Sequence, residues 1–198
     1  TGGEAVPLIT FVMITTYTPG PNNISSASMG LLFGYLKSLP YLLGIASGFV
    51  LIMLICGSLS GFVNTIFPSL SIWLRWAGCA YILWLSFSTL KATYSFSEAS
   101  DHDLAGFLRG MMLQILNPKV VIYGLTLYTT FLNPIVTKPL YLVLSAFLLA
   151  FNAWVSISLW SLFGSVIRKY VSNPGIYGII NLCLSLMLVY SAFSILRI

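Results

Sequence analysis

Long apolar runs almost free of charge are what most constrain how this chain can fold. Nine Lys and Arg and four Asp and Glu in 198 residues make it 7% charged and 58% hydrophobic, whereas a soluble domain is about 25% charged. So few charges cannot cover a folded chain of this length in water, and its solvent is therefore mostly lipid. Charges, prolines and glycines divide the sequence into six apolar segments at 5–34, 40–66, 70–93, 107–132, 138–166 and 175–197. Each is long enough to cross a bilayer at roughly 20 residues per helix. The runs are continuous rather than alternating, which selects helices over a closed barrel. The expected fold is an all-α integral membrane bundle of six transmembrane helices.

The hydrophilic stretch 95–106, with Glu98, Asp101, His102 and Asp103, separates three segments in 1–94 from three in 107–198. It reads as a linker within one membrane domain. Because each half crosses an odd number of times, two related halves must lie in opposite orientation, as inverted-topology repeats. Segment three ends Phe87-Ser88-Thr89-Leu90-Lys91 and segment six ends Phe193-Ser194-Ile195-Leu196-Arg197, a local match between halves. Lys37, Lys91, Arg109, Arg168 and Lys169 flank connections 1–2, 3–4 and 5–6, against Arg75, Lys138 and Arg197 on the opposite side. The positive-inside rule then places both termini outside, which is the periplasm if the membrane is a bacterial inner membrane. Gly30/Gly34, Gly44/Gly48, Gly57/Gly61 and Gly106/Gly110 are small residues four apart that let helices approach closely, within the bundle or across a homodimer.

The cations are scattered singly, which leaves no footprint for nucleic acid. Cys56, Cys79 and Cys183 lie in apolar stretches without a CxxC or Cys/His cluster, and His102 stands among acids. Neither a metal nor another cofactor is expected from such residues.

Chemistry is expected at two interruptions. Thr18-Pro19-Gly20-Pro21-Asn22-Asn23 lies well inside the first segment. Its prolines strip the carbonyls of Thr15 and Tyr17 of their helical donors, and Gly20 loosens the same turn. Asn22 or Asn23 is a suitable N-cap for the half-helix that follows, whose free N–H groups face an anion. In the fourth segment, Asn117-Pro118-Lys119 takes the donor from the Gln114 carbonyl in the same way. Interrupted helices at matching positions of two halves point to a transporter site at the membrane midplane.

Lys119 is too deep in its segment for a loop charge, so it should face the bundle interior, with Tyr123 one turn on along the same face. The four acids, Glu4, Glu98, Asp101 and Asp103, fall at an end or in the linker. A carboxylate proton relay is therefore not expected, and Lys119 is the candidate for proton coupling. Asn152 in segment five is a further site candidate, whereas Asn181 reads as glue between helices.

These residues carry a resemblance. Thr18-Pro19-Gly20-Pro21-Asn22-Asn23, Ala77-Gly78-Cys79-Ala80-Tyr81, Leu116-Asn117-Pro118-Lys119, and Trp160 with Gly164 fall in the order and spacing of the lysine-exporter family, the homoserine and threonine resistance-type exporters. The likeness covers essentially the whole chain. It implies a six-helix bacterial inner-membrane protein that exports amino acids, several relatives being thought to exchange them for protons. Asn22-Asn23 and Tyr123-Gly124 look most like the branch exporting cysteine and O-acetylserine. Many relatives carry Asp where this chain has Asn22, so lysine or arginine is a less suitable substrate here.

The expected mechanism holds a small zwitterionic amino acid at the midplane. Its carboxylate would lie on the amides after the first break and on Lys119, its ammonium on the carbonyls freed by Pro19 and Pro21, and its side chain against Asn22, Asn23 and Tyr123. Rocking of the halves would expose it to each side in turn. A thiol-electron carrier would need a redox cysteine beside each break, and none is there. A non-transporting scaffold or an intramembrane enzyme is the other alternative, although no Ser/His, paired-Asp or metal constellation supports an enzyme.

Overall fold

The computed structural model describes residues 2–60, 76, 79, 80, 82–84, 86, 87, 90, 106–170 and 174–196. The linker 95–105, most of segment three, and the cations Arg75, Lys91 and Arg197 lie outside the described residues, as does the side chain of Asn181. The described chain is helical, with α1 (Gly2–Tyr17), α2 (Pro21–Phe33), α3 (Tyr35–Leu59), α4 (Phe107–Ile115), α5 (Pro118–Thr126), α6 (Pro139–Tyr170) and α7 (Pro174–Leu196). After α5 the chain widens into a π turn at Leu127–Phe131, closed by Leu132 N–H on the Leu127 carbonyl at 2.8 Å, and tightens into a 3₁₀ turn at Asn133–Ile135. Within α3 and α6, Tyr35–Leu59 and Pro139–Arg168 are long and apolar enough to cross a membrane unaided, with mean hydropathy 2.4 and 2.0.

One boundary near the site differs from the sequence expectation. The second helix begins at Tyr35 rather than near 40, because Pro40 sits in its second turn and deprives only Leu36, near the exposed helix start, of a donor. The connection from α2 is therefore the single residue Gly34, at φ +80° and ψ 163°, a conformation essentially restricted to glycine. Its carbonyl accepts from Ser38 N–H at 3.2 Å and from the Ser38 hydroxyl at 2.8 Å.

Glycine sets how the helices pair. A Cβ on Gly30 would collide with the Ser161 carbonyl, and one on Gly164 with the Ala27 carbonyl, so α2 lies directly on α6. Gly44 meets the Phe107 carbonyl and Gly110 the Tyr41 carbonyl, which brings α3 onto α4. Contacts advance in the same direction along each pair: Asn23 of α2 meets Ser156 of α6 and Gly34 after it faces Arg168, while Gly44 of α3 meets Phe107 of α4 and Gly48 meets Gln114. Each pair therefore runs parallel. These glycines are used within the chain, which leaves them unavailable to a dimer.

The distribution of polarity is inverted relative to a water-soluble protein. Leu144, Phe147, Leu148 and Phe151 of α6 are exposed, whereas Ser25, Ser26, Ser28, Gln114, Asn117, Ser156 and Ser161 are buried. The interior has two apolar clusters. One contains Ile24, Tyr41, Ile45, Leu113 and Ile157 with Cys79, and the other Met53, Tyr123, Leu127, Leu142 and Leu149 with Cys56. By position along the helices, the polar break residues lie between the two.

Replacing Gly44 by Val should lower the melting temperature of the purified protein by the equivalent of about 1–3 kcal/mol, because the obstructing atoms are backbone and cannot turn aside. Gly178→Ala meets nothing within 4 Å and should melt like the parent.

Candidate functional site

Both proline motifs interrupt their helices, and the interruptions face each other. α1 ends at Tyr17 and α2 restarts at Pro21. The N-cap of α2 is Gly20 in extended backbone without a side-chain cap, so neither Asn22 nor Asn23 caps as the sequence suggested. The reason is that Pro21 suits the first helical position, which draws both asparagines into the first turn. Asn23 folds back instead, and its Nδ2 donates to the carbonyls of Thr16 and Thr18, each at 2.9 Å. The Ser156 hydroxyl of α6 adds a bond to the Thr16 carbonyl at 3.0 Å, and the Thr18 hydroxyl bonds the Thr15 carbonyl at 3.3 Å. Of the two carbonyls expected to hold a ligand's ammonium, that of Thr15 is taken by the Thr18 hydroxyl, while that of Tyr17 has no recorded donor.

The second break solves the same problem locally. With Pro118 unable to donate, the Gln114 carbonyl accepts from Asn117 N–H at 3.2 Å. Asn117 then caps α5, its Oδ1 accepting from Lys119 N–H at 3.1 Å. A main-chain N–H can only donate, so this bond sets the direction of an amide chain across the halves. Asn117 Nδ2 donates to Asn22 Oδ1 at 3.0 Å, and Asn22 Nδ2 donates to Gln114 Oε1. Gln114 Nε2, at the end of the chain, is buried without a partner.

Around this junction lies a cavity of about 440 Å³, open mouth included, lined by Thr15, Thr16, Thr18, Gly20, Pro21, Asn22, Asn23, Phe49, Asn117, Lys119, Val120, Tyr123, Ala153 and Ile157. Lys119 extends across it from α5, with Nζ 3.3 Å from the Thr18 hydroxyl. A Cβ on Gly20 would lie 3.1 Å from that Nζ, so glycine here leaves room for the ammonium. Lys119 is the one charged residue among the described residues lining the cavity. One wall is aromatic, with Tyr123 stacked on Phe11 at 5.6 Å between ring centroids and tilted against Phe49 at 6.0 Å.

Of the candidates read from sequence, Thr18, Gly20, Pro21, Asn22, Asn23, Asn117, Lys119 and Tyr123 line the cavity. Pro19 and Pro118 shape the breaks without lining it. Asn152 also stands outside the lining, its Oδ1 accepting from the Tyr17 hydroxyl at 3.2 Å. The sequence reading missed Thr15, Thr16, Phe49, Val120, Ala153 and Ile157 as cavity walls, and Ser156 as their support. Asn152, Ser156 and Ile157 fall within three to five residues on α6, a spacing that places them near one face. That polar pair in an apolar helix was the available signal.

A family model described as LysE type translocator matches residues 13–197. The chain belongs to this family. Cysteine/O-acetylserine efflux proteins are similar to this translocator over 94% of both chains, at 33% identity in Klebsiella pneumoniae and 32% in Salmonella typhimurium and Escherichia coli K12. No solved structure matches it.

Asn22→Ala and Asn117→Ala each remove the bond between the breaks of the translocator. Unfolding of both single variants and the double variant should show a coupling of about 1 kcal/mol. Additivity within about 0.3 kcal/mol would mean that the two amides act independently.

Proposed function

We propose that this translocator exports small neutral amino acids across the bacterial inner membrane by alternating access coupled to protons. Cysteine and O-acetylserine are the first candidates, followed by homoserine and threonine. The observation that carries this reading is the meeting of two interrupted helices at one cavity with a single buried-side cation, Lys119. The names of the relatives support the choice of substrate. The residues proposed to hold the amino acid are Thr18, Gly20, Pro21, Asn22, Asn23, Asn117, Lys119 and Tyr123, with Pro19 and Pro118 shaping the breaks and Asn152 supporting Tyr17.

The proposed architecture is six crossings in two inverted repeats, 1–94 and 107–198, joined by the linker 95–106. Two observations favour it. Parallel pairing of segment one with five, and of two with four, is what alternating crossings require. Ser86 and Ser185 also exchange hydrogen bonds reciprocally, each hydroxyl donating to the other's carbonyl at 2.9 and 3.0 Å across a sequence separation of 99. Mutual contact of equivalent residues is the signature of a two-fold axis, and Pro19 and Pro118 stand at the same separation. The match between 87–91 and 193–197 has a different spacing and does not belong to this register. Lys37, Arg109 and Arg168 gather near the start of α3 and the end of α6, with Lys138 toward the far end, in keeping with periplasmic termini.

In the proposed cycle the substrate carboxylate draws the Lys119 ammonium away from Thr18. The bond between the halves is then exchanged for one through the ligand, and the halves rock. The empty carrier would then return with a proton taken up on the outer side and released on the inner side. Efflux from proteoliposomes loaded with labelled cysteine or O-acetylserine should saturate and accelerate under an inward proton gradient. Lys119→Ala should cut it by roughly tenfold to a hundredfold, the worth of a charge-assisted hydrogen bond, while the protein still inserts. Unchanged flux in that variant would remove Lys119 from the mechanism.

A further inference from the structure

We infer that the cavity recognises its ligand through the carboxylate rather than the ammonium, so that small carboxylates without an amino group are ligands of the same site. The inference rests on the amino-acid reading above for its reference ligand and goes beyond it in the class of molecule admitted.

The argument is an inventory of donors and acceptors. Lys119 Nζ has three N–H donors and one recorded partner, a neutral hydroxyl at 3.3 Å, longer than the 2.7–2.9 Å usual for an ammonium on a carboxylate. The first-turn amides of Asn22 and Asn23 have no carbonyl four residues back within α2, whose first bond runs from Ile24 N–H to the Gly20 carbonyl at 2.9 Å. Donors are therefore left over. Acceptors on the lining are fewer: the Thr15 carbonyl takes the Thr18 hydroxyl, the Thr16 carbonyl takes both Asn23 and Ser156, the Thr18 carbonyl takes Asn23, and Asn22 Oδ1 takes Asn117, which leaves the neutral Tyr123 hydroxyl as a buried group without a recorded partner.

No carboxylate is among the described residues lining the cavity. Glu4 lies eleven residues before Thr15 on α1, about 16 Å along its axis. A ligand ammonium would therefore enter as a second cation beside Lys119 without a counter-charge, whereas a lone carboxylate neutralises Lys119 and meets the spare amides. Hydroxy, mercapto and N-acyl acids of three or four carbons have this chemistry.

The test compares molecules that differ by one charged group. Cysteine, 3-mercaptopropionate and cysteamine are titrated under reducing conditions into the full chain embedded in lipid nanodiscs, by calorimetry. We expect 3-mercaptopropionate to bind at least tenfold more tightly than cysteamine, and Lys119→Ala to weaken it and cysteine alike. Gly178→Ala, on α7 and outside the lining, controls for the handling of a variant and should leave that ratio above tenfold. A ratio below tenfold in the parent overturns the inference, even if cysteine is exported and the amino-acid reading stands. If 3-mercaptopropionate meets the ratio and cysteine neither binds nor moves, the carboxylate inference stands and the amino-acid reading fails.

Discussion

A backbone carbonyl stripped of its donor inside a membrane has no water to turn to, and the arrangement of this translocator follows from that constraint. Pro19, Pro21 and Pro118 each create such a carbonyl. Asn23, Ser156, the Thr18 hydroxyl and the Asn117 amide satisfy carbonyls at the breaks. These donors come from α2, from α6 and from the breaks themselves, so the breaks are tolerated only where α1, α2, α5 and α6 converge. Glycine makes that convergence possible, because α2 on α6 and α3 on α4 touch backbone to backbone.

The same solution places a polar layer between two apolar clusters. Neutral amides joined end to end hold the halves together without a buried ion pair, whose desolvation is expensive to offset. Each link in such a chain is worth about 1 kcal/mol, strong enough to define a resting geometry and weak enough for a ligand to displace. The reciprocal Ser86–Ser185 pair stands apart from the breaks and ties segment three to α7. In the proposed cycle it offers a pivot about which the halves can rock.

Electrostatically the cavity is lopsided. Lys119 supplies a cation, and Asn22 stands where a carboxylate would have paired with it or with a basic substrate. That asymmetry argues for a ligand that brings its own negative charge, and against lysine or arginine. It also singles out Lys119 as the group proposed for proton coupling, since the other polar groups recorded on the cavity wall are hydroxyls, amides and backbone.

The all-helical fold class, both interruptions and the position of Lys119 at the cavity were legible in the sequence, because proline chemistry and the cost of burying charge act locally. The residues on each side of a break are neighbours in the chain, so Thr18, Asn22, Asn117 and Lys119 announce themselves without a structure. Other features depend on which helix lies beside which. Asn23 turning back on Thr16 rather than capping α2, Ser156 arriving from α6, and Phe49 and Ala153 forming walls are set by glycine contacts between segments far apart in sequence. The direction of the amide chain likewise follows from one main-chain N–H meeting Asn117. Sequence alone thus determined where the helices had to fail. Only the tertiary structure decided which donors meet the freed carbonyls, because hydrogen bonds between helices depend on orientations that no local pattern encodes.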